Sequence, residues 1–120
     1  MKNILLLSLI SSTVSLAADY TNGEVLYFQK GCTSCHGPQA QGMHAFPALA
    51  NKKAYKLRNK LLAYRADQVK TPQASVMTGY AKNLKPDEME DIIEYLSKYK
   101  KVDPKESYND AYEEWGDGGS

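Results

Sequence analysis

The chain holds 120 residues, with 15 Lys and Arg against 14 Asp and Glu and a formal charge of +1 at pH 7. Near-neutrality argues against a protein that lives on the phosphate backbone of a nucleic acid. Its two cysteines, Cys32 and Cys35, share one pentapeptide, which leaves none for a disulfide-stapled scaffold.

At the N-terminus, Lys2 precedes a mainly apolar run over residues 4–16, interrupted by Ser11, Ser12 and Thr13 and by the single serines Ser8 and Ser15. Small residues follow at Ser15 and Ala17. This is the pattern of a secretory signal peptide cleaved after Ala17. As a retained membrane anchor, the alternative reading, the run is short against the ~20 apolar residues of a bilayer span. The sequence thus divides into a signal peptide over residues 1–17, one small domain over 18–101 and a tail over 102–120. Cleavage leaves 14 basic and 14 acidic residues, unevenly spread. Residues 30–85 carry ten Lys or Arg and one acid, Asp67, whereas residues 86–120 carry eleven acids and four lysines. Such asymmetry either steers encounters with an oppositely charged partner or amounts to a solvated helix face beside an acidic tail.

The first predicted helix opens at Thr21, which forms a capping-box pattern with Glu24. Val25, Leu26 and Phe28 follow, and Gly31 is the expected C-terminal stop. Directly after it stands Cys32-Thr33-Ser34-Cys35-His36, a C-x-x-C-H run. At this spacing two thiols can add to the two vinyl groups of one haem, and the next residue offers an imidazole nitrogen to the iron. A thioredoxin-like redox pair would need a surrounding βαβ pattern, and none is present. A zinc site would need four tetrahedral ligands, and adjacent Cys35 and His36 do not easily point at one ion. Covalent haem is the reading that agrees with export, and the mature chain is expected to be soluble and periplasmic.

Residues 37–42 are rich in turn formers. Met43, His44, Phe46 and Pro47 continue this loop, which is expected to wrap one haem edge with Phe46 and Leu49 as apolar cover. Pro47 fixes its own φ and biases Phe46 towards extended backbone. Residues 51–67 read as the second helix, with Leu57, Leu61 and Tyr64 as its i, i+4, i+7 stripe. Lys52, Lys53, Lys56, Arg58, Lys60 and Arg65 make its outer face basic. Residues 68–83 have no helical apolar stripe and include Pro72 and Gly79, so they are expected to be largely loop. The third helix opens at Pro86 with Asp87 and Glu88 in its first turn, and carries the stripe Met89, Ile92, Ile93 and Leu96. From Asp103 the chain is acidic, with Tyr108, Tyr112 and Trp115 at helical spacing. These aromatics suit docking on the protein's own surface, docking on a partner, or a disordered tail.

What faces His36 across the iron decides the chemistry: Met/His ligation suits electron transfer, and an open position suits gas binding or catalysis. Four side chains are available: Met43, His44, Met77 and Met89. Met89 lies on a core stripe. Met43 and His44 follow His36 by only seven and eight residues, too few to reach the opposite face with ease. Met77 lies 41 residues on and is the favoured ligand, with His44 its rival and a gap-filling core methionine the plain alternative.

Three stretches carry a family resemblance: Gly31-Cys32-Thr33-Ser34-Cys35-His36-Gly37, Phe46-Pro47-Ala48-Leu49-Ala50, and the run from Met77 through the helix ending near Leu96. Together they resemble the small monohaem class I c-type cytochromes of the bacterial periplasm. The resemblance covers about residues 21–100. It implies an all-α fold, a small cytochrome c domain of three to four helices around one covalently attached haem c, whose first and last helices cross near the haem. It further implies thioether bonds from Cys32 and Cys35, His36 and Met77 as iron ligands, and a Pro47 carbonyl that accepts the His36 Nδ1–H. The expected function is periplasmic electron transfer between redox proteins, with salt-sensitive docking, no nucleic acid, and a monomeric or small-complex state. Two other readings remain: the haem subunit of a periplasmic dehydrogenase, for example one oxidising a sulfur compound, and a haem sensor or enzyme with an open sixth position. The acidic tail departs from the short form of the family.

Overall fold

The computed structural model describes residues 17–101, so the expected signal peptide up to Ser15 and Leu16 and the tail from Val102 lie outside the described residues. Among the described residues five helices follow one another: α1 (Tyr20–Gln29), α2 (Thr33–His36), α3 (Ala54–Arg65), α4 (Ala74–Asn83) and α5 (Pro86–Ser97). Among the described residues no strand forms, and the one β-type contact is an isolated antiparallel bridge between Met43 and Phe46.

Asp19, not Thr21, starts α1. Its extended backbone lies just outside the helix, and its carboxylate accepts the Asn22 backbone N–H at 3.0 Å. Thr21 is already helical, so the capping-box pattern it forms with Glu24 is bypassed. At the other end the chain leaves the helix through Lys30 and Gly31, and Gly31 takes the left-handed φ of +77° that glycine tolerates.

The centre of the fold is the crossing of α1 over α5. Gly23 permits it: a Cβ there would fall 1.9 Å from the Asp91 carbonyl oxygen and 2.8 Å from Tyr95 Cβ. Around this contact Leu26, Tyr27, Ile92, Ile93, Tyr95 and Leu96 form the buried core. Tyr95 stands edge-on to Tyr20 and Tyr99 and tilted against Tyr27, with ring centroids 5.2–5.7 Å apart. Burial pushes the Tyr95 hydroxyl up to about 12. The Asp91 carboxylate accepts the Asp19 N–H and the Asn22 side-chain amide, both at 2.7 Å. Lys30 and Glu88 join the far ends of the two helices at 3.4 Å.

Helix α3 is shorter than the expected 51–67. Asn51 takes φ +59° and donates its N–H to the Leu96 carbonyl at 2.8 Å, which ties the loop to α5 and removes Asn51 from any helix. Asp67 takes φ +54° and closes the other end. Leu57 is buried and Leu61 and Tyr64 are half-buried, as their stripe requires. The basic face is only partly solvent-facing. Lys52, Lys53, Lys56 and Lys60 are exposed. Arg58 instead makes a two-pronged pair with Glu90 of α5 (2.8 and 2.7 Å), and Arg65 turns towards α4.

Residues 74–83, expected as loop, form α4 and pack on α3. Pro72 precedes the helix and therefore punctuates its entry, while a Cβ on Gly79 would meet nothing within 4 Å. The inward positions are Ala74 and Ala81, both buried, with Met77 and Thr78 half-buried between them. This is an i, i+3, i+4, i+7 stripe made mostly of small side chains. Helix α5 matches its expected start: Pro86 occupies the first turn and the Glu88 side chain accepts the Lys85 N–H at 3.2 Å.

Candidate functional site

The C-x-x-C-H run folds as one helical turn between two glycines. The His36 N–H reaches the Cys32 carbonyl at 3.0 Å and the Gly37 N–H reaches Thr33 at 3.0 Å. Cys32 and Cys35, three positions apart, thus share one side of the turn, and His36 follows at the fourth. Both thiols are free, and all three residues are half-buried. Burial raises the Cys32 thiol above its ordinary value, so it is protonated at neutral pH.

The chain then doubles back. The Gly42 N–H returns to the His36 carbonyl at 2.8 Å, and the Ala40 carbonyl accepts from both Leu49 (2.9 Å) and Ala50 (3.1 Å). Gly42 takes φ +80°, and a Cβ there would lie 2.7 Å from the Ala48 nitrogen and 2.8 Å from the Phe46 oxygen. This folding-back carries the Pro47 carbonyl to 2.8 Å from His36 Nδ1. A carbonyl can only accept, so the proton sits on Nδ1 and the Nε2 lone pair is left for a metal.

Two free thiols on one side of a turn, with an imidazole whose tautomer is fixed for ligation, are the donor set that covalent haem requires. The surroundings agree with that. The Phe46 ring lies edge-on to His36 at 6.4 Å, and Phe46 and its bridge partner Met43 keep 39% and 38% of their surface in solvent. Apolar side chains left this open suit cover by a flat apolar group. His44 stands exposed in the tight turn between Met43 and Phe46, with φ +52°.

The structure therefore brings together four of the five expected site residues: Cys32, Cys35, His36 and Pro47. Met77 is half-buried on α4, and no hydrogen bond among the described residues links α4 to residues 32–50. One residue was not singled out by the sequence reading. Tyr27 is fully buried, and its hydroxyl donates to the Gly37 carbonyl at 2.6 Å, which fastens the turn to α1. The only signal for it was its place four residues after Gly23, on the same helix face.

Comparison with known proteins follows the same boundaries. The cytochrome c family model matches residues 20–100. Cytochrome c-554(547) of Halothiobacillus neapolitanus is 30% identical over 92 residues, covering 70% of this chain and all of that protein. Cytochrome c-553 of Nitratidesulfovibrio vulgaris is 32% identical over 103 residues, covering 82% of this chain and 99% of that protein. Among solved structures, cytochrome c4 of Acidithiobacillus ferrooxidans superposes with a TM-score of 0.59 at 25% identity. The alignment covers 72% of this chain and about half (52%) of the other. The matched region begins with α1, ends just past α5, and so spans both the helix crossing and the thiol-bearing turn. This chain belongs to the cytochrome c family, a haem c electron-transfer protein and not an enzyme.

Proposed function

We propose that the protein is a soluble periplasmic electron carrier, with a signal peptide over residues 1–17, a haem domain over 18–101 and an acidic tail over 102–120. Cys32 and Cys35 would attach one haem c through thioether bonds, and His36 and Met77 would ligate its iron. The haem supplies a one-electron couple between ferric and ferrous iron. The chain supplies position and insulation. The observation that carries the reading is the 2.8 Å contact between His36 Nδ1 and the Pro47 carbonyl, because it orients the imidazole and raises its basicity as a ligand. Met77 supports it as an unbranched thioether, half-buried on α4. The exposed lysines 52, 53, 56 and 60 form a basic patch suited to brief, salt-sensitive docking on acidic redox partners.

The test is spectroscopic. Mature holoprotein and Met77→Ala are compared in the ferric near-infrared, and then as reduced forms with carbon monoxide. The wild type should show the methionine-sulfur charge-transfer band and ignore carbon monoxide; the variant should lose the band and bind the gas. A wild type that lacks the band and binds carbon monoxide would put a sensor or enzyme in place of the carrier.

A further inference from the structure

Arg65 is the last residue of α3, and it spends its charge on backbone. Its Nη1 donates to the Ala81 carbonyl at 2.9 Å and to the Leu84 carbonyl at 2.5 Å. Ala81 is in the last turn of α4 and Leu84 is the residue that caps it. Carbonyls at a helix C-terminus have no helical N–H to accept, and they form the negative end of the helix dipole. A half-buried guanidinium there meets both needs: it supplies the missing donors and a positive charge. Lys82 and Asp67 add a second, exposed tie between the same two segments at 2.5 Å. No other cap of this kind exists among the described helices: the remaining arginine, Arg58, binds a carboxylate.

We infer that Arg65 is a positioning residue for the Met77 thioether. The inference rests on Met77 as the iron ligand. Met77 stands four residues before Ala81, roughly 6 Å along the helix axis from the clamp. Helix α4 packs on α3, and its two buried residues are Ala74 and Ala81, whose small side chains offer few contacts with which to fix its register. The Arg65 clamp fixes the register that the packing leaves loose. Holding α4 in place disfavours the arrangement in which the thioether is withdrawn. A competing ligand enters only in that withdrawn state, so its apparent affinity reports how often the state occurs.

The experiment uses the mature holoprotein with imidazole as the competing ligand of the ferric form. Four proteins are compared: wild type, Arg65→Gln, Arg65→Lys and Asp67→Asn. Arg65→Gln should bind imidazole about tenfold more tightly, a shift of about 1.4 kcal/mol. The charge-transfer band should weaken in the same variant. Arg65→Lys keeps the charge on a more strongly hydrated ammonium at the end of a shorter side chain, so it should fall between wild type and Gln, and Asp67→Asn should stay within twofold of wild type. If Arg65→Gln yields no holoprotein, Arg65→Lys carries the test alone, with a rise of about threefold expected. An unchanged imidazole affinity and band, with or without a fall in urea resistance, would make Arg65 merely structural and overturn the inference while leaving Met77 as ligand. A wild type with no charge-transfer band would remove the premise itself.

Discussion

Replacing Gly23 by alanine sets two effects of opposite sign against each other. In a helix interior alanine is favoured over glycine by about 1 kcal/mol, so propensity alone predicts a more stable protein. The crossing predicts otherwise. The new methyl would lie 1.9 Å from the Asp91 carbonyl oxygen, where real contacts stay above 3.0 Å, and that oxygen is backbone that cannot rotate aside. Helices α1 and α5 must therefore part by about 1 Å. A gap of ~0.5–1 Å forfeits roughly a quarter to a half of each dispersion contact across it. Overpacking costs about 1–3 kcal/mol, and the loosened contacts of Leu26, Tyr27, Ile92 and Tyr95 bring the gross loss to about 4 kcal/mol. The net expectation is a loss of about 3 kcal/mol, a large part of the ~5–15 kcal/mol that holds an ordinary domain together. Urea unfolding of the holoprotein, followed by far-ultraviolet circular dichroism, measures it as a lower midpoint at unchanged slope. Gly79→Ala is the paired control: its methyl meets nothing within 4 Å, so it should gain up to about 1 kcal/mol. A Gly23→Ala protein as stable as wild type would refute the steric argument.

Two further outcomes follow from single contacts. Tyr27→Phe deletes the buried hydroxyl that holds the Gly37 carbonyl, and because the Ala40 N–H still reaches that carbonyl at 3.1 Å the loss should be only about 1 kcal/mol; urea midpoints check it, and an unchanged midpoint would show that the turn does not depend on α1. The Arg58 guanidinium holds the Glu90 carboxyl below its ordinary 4.5 through their hydrogen bonds, so the folded chain binds this proton more weakly than the unfolded one. The pair's contribution is therefore complete above the ordinary carboxylate value and disappears as pH falls through the lowered one. Both partners are 38% exposed, which limits the effect of Glu90→Gln to about 0.5 kcal/mol at pH 7. Stability curves of the variant and wild type should converge in acid; a gap that widened there would reverse the sign.

The cysteines and His36 were legible because their chemistry depends on spacing along the chain, which folding cannot alter. Pro47 was not legible from its own chemistry, since any residue has a carbonyl; only the family resemblance pointed to it, and the fold-back through Gly42 delivers it. Helix α4 escaped notice because its inward stripe, Ala74, Met77, Thr78 and Ala81, has one large apolar member, and a pattern search weights bulk. Gly79 and Pro72 read as breakers, yet one faces open space and the other precedes the first turn. Thr21 and Asp19 were competing caps two residues apart. Asp91 decides between them by binding the Asp19 N–H and the Asn22 side chain, contacts that span 72 and 69 residues and leave no trace in a local window.

Those same long-range bonds impose a timetable. Helix α1 has its main partner in α5, so loop closure over some seventy residues must precede the burial of Leu26 and Tyr27. An incomplete chain, one that has not yet delivered Asp91 and Tyr95, has no stable way to dock the segment before Cys32. During that interval the thiol-bearing turn is tethered to nothing but its own neighbours. The molecule's topology thus withholds the long-range support of this pentapeptide until the last helix arrives.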